Sequence, residues 1–141
     1  MLVLDTDVVT LLQYPESALA QRLTARLVAS GRSTAVAITT FEEQARGRLA
    51  ECARAKTPEV YIRATARLSQ LLREYQNRII LPFDDRAAAH FRVLKAAKIR
   101  IGTMDLWIAS IVLAHDATLI TMNLRDYEQV PGLKVEDWTT S

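Results

Sequence analysis

The chain has 141 residues, half of them hydrophobic and 24% charged, with a formal net charge of +2. That balance excludes a disordered segment and fits one globular domain with a single core. No apolar run approaches the roughly 18 residues a membrane span needs, and MLVLDTDVV carries no basic leader, so a membrane or secreted protein is not expected.

Leu2 to Leu4 is an apolar run ending at Asp5, the pattern of a buried strand in a parallel sheet. A short helix follows over about Val8 to Gln13, stopped by Pro15. Ser17 caps a second helix reaching Ser30, closed by Gly31. Ser33 to Ile38 is β-branched and apolar, hence a second strand. Thr39 or Thr40 then opens a helix to about Lys56, with Glu42 and Glu43 at capping-box spacing. Pro58 opens a further helix to Tyr75, and Arg78 to Leu81 forms the third strand. Asp84 caps a helix to Lys98, and an apolar helix runs from Asp105 to His115 after the break at Gly102. Thr118 to Thr121 is the fourth strand, and Lys134 to Glu136 a short fifth after the Pro131–Gly132 turn. Strands alternating with helices predict an α/β fold, a three-layer α/β/α arrangement around a mostly parallel sheet of about five strands.

Cys52 is the one cysteine, so no internal disulfide forms and a cytoplasmic setting is expected; it is read as a small core residue. His90 and His115 share no ligand spacing and are assigned no chemistry. Fourteen of the eighteen basic residues are arginines, whose planar forks suit phosphate, although most serve as solvated helix faces.

In parallel α/β sheets ligands bind beyond the carboxyl ends of the strands. Asp5 and Asp7 follow the first strand there, and Asn123 and Asp126 the fourth. Glu42 and Glu43 lie in the first turn after the second strand, and Asp105 heads the apolar helix. Gathering carboxylates raises their pKa values through repulsion, a cost that a divalent cation removes. An all-oxygen set without His or Cys favours Mg²⁺ or Mn²⁺ over Zn²⁺ and suits hydrolysis of a phosphodiester. Capping is the competing role, foremost for Glu42, Asp84 and Asp85, and also for Asp105.

The segments LVLDTD, AITTFEEQARGRLA, IGTMDLWIAS, TLITMNLRDYEQVPGL and VEDW, in this order, resemble PIN-domain proteins, specifically the VapC-type toxins of bacterial toxin–antitoxin pairs. The resemblance covers nearly the whole chain. It implies an endoribonuclease whose metal ligands fall on Asp5, Glu43 (four residues before Gly47) and Asp105, which are also the catalytic residues. A fourth ligand falls on Asn123, where many relatives carry Asp, and Asp126 is the nearby carboxylate that could complete the set. Thr6 and Thr121 are expected to support these groups, and Arg46, Arg48 and Arg125 to hold flanking phosphates. The implied partners are an RNA substrate, a cognate antitoxin and a second copy of the chain. Leu11, Leu12, Tyr61, Trp107 and Ile111 are the apolar helix positions expected to exceed one core.

Two other classes compete. DTDVV also matches the opening of haloacid-dehalogenase-type phosphatases, with Asp84–Asp85 as the later acidic pair, but no lysine lies between Asp7 and Lys56. A binding module that has lost turnover through Asn123 is the other.

Overall fold

The computed structural model describes residues 1–140. Five strands, β1 (Leu2–Leu4), β2 (Thr34–Ala37), β3 (Ile79–Leu81), β4 (Thr118–Ile120) and β5 (Lys134–Glu136), form one sheet in the order β3-β2-β1-β4-β5. Every pairing is parallel; Leu2 stands opposite Thr34 on one side and Thr118 on the other. Among the described residues seven helices connect them: α1 (Thr6–Leu12), α2 (Ala18–Ser30), α3 (Ile38–Arg54), α4 (Pro58–Gln76), α5 (Asp85–Ala96), α6 (Thr103–Ala114) and α7 (Leu124–Tyr127).

The all-apolar β1 is central and buried on both faces, as the expected parallel sheet requires. Its alternation divides the core. Leu2 and Leu4 join Val36 and Ile120 under Val8, Val9, Leu23, Leu71 and Tyr75 from α1, α2 and α4. Val3 joins Ala35, Ala37 and Leu119 under Leu94, Ile108, Ile111 and Val112 from α5 and α6. The result is the three-layer α/β/α arrangement. The chain steps outward from β1 to β2 and β3 on one side, then to β4 and β5 on the other. The strand order therefore reverses beside β1, where a crevice opens at the carboxyl ends.

Several boundaries differ from expectation. α1 begins at Thr6, two residues early, because the Asp5 carboxylate accepts the Thr6 N–H and caps it. α3 begins at Ile38, directly off β2, with no side-chain cap, so the capping box on Thr39 or Thr40 does not form. α7 lies where no helix was expected, since four residues carry no periodicity. Ser17 and Asp84 cap α2 and α5 as anticipated, and Gly31 closes α2 at φ +64°. Of the residues expected to exceed the core, Ile111 is buried on the α5 and α6 side, and Leu11 and Leu12 pack against the core on the opposite face of the sheet. Trp107 stacks on Phe91, and Tyr61 alone of the five is exposed. Cys52 is a free, half-buried cysteine. Among the described residues no helix is long and apolar enough to cross a membrane.

Candidate metal and phosphodiester site

A cleft of about 520 Å³ opens at the reversal point, lined by Asp5, Thr6, Asp7, Thr10, Glu43, Asp105, Met122 and Asn123. Four of these are acids and none is basic.

Asp5 ends β1, fixed to β4 by its backbone N–H donating to the Ile120 carbonyl at 2.9 Å. It is 4% exposed, yet three donors reach its carboxylate. Oδ1 accepts from the Thr6 N–H at 2.9 Å and the Tyr127 hydroxyl at 3.2 Å; Oδ2 accepts from the Thr121 hydroxyl at 2.8 Å. Burial, with repulsion from Asp7 added, pushes its pKa up to about 7 despite those donors. A carboxylate has about four acceptor positions, so Asp5 keeps roughly one for anything else.

Asp7 lies in the first turn of α1. Its Oδ2 accepts from the Met122 N–H at 3.1 Å, while its buried Oδ1 has no partner among the described residues. Such an orphan oxygen is costly in a folded interior unless something external satisfies it. Burial raises its pKa too. Glu43 stands one turn into α3 and accepts from the Thr6 hydroxyl at 2.9 Å; burial again raises its pKa. Glu42, the next residue back, is exposed and pairs with Arg46, so it is neither a cap nor part of the cleft.

Asp105 lies in the first turn of α6 but does not cap it; Gly102 is the N-cap and no side chain bonds there. Its Oδ1 accepts from the Tyr127 hydroxyl at 3.0 Å. Burial raises its pKa, Tyr127 opposes this, and Asp126 adds repulsion. Asn123 reaches the cleft, whereas Asp126 does not line it. Asp126 instead accepts the Asn123 amide N–H at 3.0 Å, which leaves the amide oxygen as the atom Asn123 can offer a cation.

The structure thus brings Asp5, Glu43, Asp105 and Asn123 to one cleft and puts Asp126 behind Asn123. Thr6 and Thr121 are bonded to the acids they were expected to support. Arg46 is tied to Glu42, and Arg48 faces Glu51 at 3.7 Å. Arg125 is exposed and outside the cleft. Asp84 caps α5, where the Ala87 N–H holds its carboxyl below the usual range; neither it nor Asp85 lines the cleft, so the phosphatase reading loses its acidic pair. Tyr127 is not among the residues expected at the site, because an aromatic in an unanticipated four-residue helix carries no signal until the fold turns it toward two carboxylates.

Among the described residues no three His, Cys, Asp or Glu side chains are grouped, as they stand, to hold one ion together. The donor chemistry nevertheless fits a hard divalent cation: oxygen donors only, no lining cation to neutralise them, and an orphan carboxylate oxygen.

No family model matches the chain. In sequence it is similar to the tRNA(fMet)-specific endonuclease VapC of Salmonella typhimurium, 35% identical over 63 residues covering 42% of this chain and 48% of that protein. It is also similar to the ribonuclease VapC2 of Rickettsia felis, 45% identical over 38 residues covering 27% of this chain and 28% of that one. The match spans about half the length of the former relative and less of the latter. In fold it is similar over nearly its whole length to chains of two complexes. One is the DNA-bound VapBC of Salmonella typhimurium, with TM-score 0.75, 22% identity and 97% of each chain covered. The other is VapBC-1 of nontypeable Haemophilus influenzae, with TM-score 0.75, 21% identity, 99% of this chain and 98% of that one. The sequence is thus similar to VapC ribonucleases over part of its length, and the fold is similar to chains of VapBC complexes over nearly all of it.

Proposed function

We propose that this chain is a metal-dependent endoribonuclease, the toxin of a toxin–antitoxin pair, in which Asp5, Glu43 and Asp105, aided by Asn123, hold Mg²⁺ or Mn²⁺. The observation that carries the reading is a cleft lined by four carboxylates and no cationic side chain. The VapC names of the similar ribonucleases support the activity, and the VapBC complexes support an antitoxin partner.

Bound there, a divalent cation would lower the pKa of an attacking water and neutralise charge on the phosphodiester. The chain's own residues prepare the site. Asp5 is immobilised by three donors, Thr6 orients Glu43, and Asp126 holds the Asn123 amide. Hydrolysis adds one water across the P–O3′ bond, leaving a 5′-phosphate and a 3′-hydroxyl. A neighbouring groove of about 280 Å³ shares Thr6, Thr10 and Glu43 with the cleft and contains Arg48 and Arg67. Those two guanidinium groups suit the flanking phosphates of a bound strand.

The test is cleavage of an end-labelled stem-loop RNA. EDTA should stop it, Mn²⁺ should restore it, and the products should carry 5′-phosphates; cleavage that continues in EDTA contradicts the reading. The uncharged Asn123 favours a second reading, a binding module with little turnover. Specific RNA binding without cleavage at any Mn²⁺ concentration would support that one.

A further inference from the structure

We propose that Tyr127 is a positioning residue that clamps the Asp5 and Asp105 carboxylates into one site; this rests on the acidic-site reading above. Its ring is wholly buried in the core between the sheet and α6. A phenylalanine would fill that space equally well, so packing does not account for the hydroxyl. A buried hydroxyl is unfavourable without a partner. This one has two, Asp105 Oδ1 at 3.0 Å and Asp5 Oδ1 at 3.2 Å.

The two acids come from the end of β1 and the first turn of α6, a hundred residues apart in sequence. One phenolic proton faces both, so it sets their mutual position. The two acids depend on it unequally. Asp5 keeps the Thr6 N–H and the Thr121 hydroxyl when Tyr127 is removed. For the Asp105 side chain, the Tyr127 hydroxyl is the one hydrogen bond among the described residues. Asp105 is therefore the ligand that loses its orientation. The short helix α7 exists to deliver this hydroxyl: Asn123 starts it at the cleft, and Tyr127 ends it beneath the carboxylates.

Tyr127→Phe keeps the ring and removes only the hydroxyl. Two readouts decide the matter. In metal-free protein labelled with ¹³C at the aspartate carboxyls, the Asp105 resonance, assigned by its loss in Asp105→Asn, should shift by more than its linewidth in Tyr127→Phe. In Mn²⁺ titrations followed by electron paramagnetic resonance, the variant's Kd should rise about tenfold, the effect usual for a residue that orients a metal ligand. A residue that only fills the core would move neither. An unchanged Asp105 resonance, or Mn²⁺ binding as tight as wild type or tighter, overturns the clamp. A wild-type protein that binds no Mn²⁺ removes the metal site instead, and the carboxyl resonance then decides the clamp alone.

Discussion

Asp5 is the residue on which the electrostatics of the cleft turn. Burial and its acidic neighbours hold its pKa near 7, against 3.8 for a free aspartate. Between those values the folded metal-free protein binds a proton that the unfolded chain does not, so stability falls as pH rises through that window. Taking pH 7.5 to 5.5 in EDTA should therefore add about 2 kcal/mol from this group alone and raise Tm by several degrees. Asp7, Glu43 and Asp105 are shifted the same way. Asp5→Asn should flatten the profile; an Asp5→Asn melt with the wild-type slope would contradict this account of the site. Asp105→Asn should melt higher than wild type in EDTA, by roughly 0.5–2 kcal/mol of relieved repulsion at an effective dielectric near 20. It should also lose most of the Mn²⁺-induced rise, which at a hundredfold excess over Kd is worth about 2.7 kcal/mol in the wild type. An Asp105→Asn melt below wild type in EDTA, with an undiminished Mn²⁺ shift, would remove Asp105 from the site. At this scale Asp5 stood out in the sequence because a charge ending a buried strand demands explanation. Asp7 did not, because its significance is an oxygen with no partner, which only packing reveals.

The elements matter through where they start. α3 begins at Ile38, so Glu43 lies one turn in and faces Thr6, while Glu42 turns to solvent and Arg46. Glu43→Gln should abolish RNA cleavage. Glu42→Gln should keep it and cost under about 0.5 kcal/mol, the usual value of an exposed i,i+4 pair. Equal losses of activity in the two variants would mean that the register of α3 does not sort these glutamates. Asp84 belongs to the start of α5, and Asp84→Ala should lower Tm through the lost N-cap with cleavage intact. The alternation of short apolar runs with long capped helices made the strand sequence and the three layers legible, because most helices are long enough for their pattern to repeat. The capping box on Thr39 or Thr40 misled: Ile38 looks like strand by its β-branching, but the chain turns helical there with no linker. The four residues of α7 were below the length at which periodicity can speak.

In the whole molecule, the strand order positions the cleft by placing its reversal point beside β1, where the end of β1 and the N-terminal parts of α1, α3 and α6 deliver the acids. The same fold leaves apolar side chains outside its core. Of those expected from the sequence, Tyr61 alone is among them: Leu11, Leu12, Trp107 and Ile111 pack inward, whereas Val60, Ile62 and Leu72 join Tyr61 as exposed side chains on α4. Pattern alone cannot distinguish an apolar face turned to the sheet from one turned to solvent. If the second copy expected from the sequence docks on this face, multi-angle light scattering should give a two-chain mass at micromolar concentration, and Tyr61→Glu with Ile62→Glu should reduce it to one. A one-chain mass for the unaltered protein would contradict the dimer. The proposed function requires that the acids of this cleft cut RNA with a bound cation. Single-turnover cleavage in Mg²⁺ by wild type, Asp5→Asn and Asp105→Asn, each shown folded by far-UV circular dichroism, tests it. The wild type should cleave and each variant should lose at least a hundredfold, roughly the 2.7 kcal/mol of transition-state stabilisation that such a factor represents. Undiminished cleavage by both variants would contradict it.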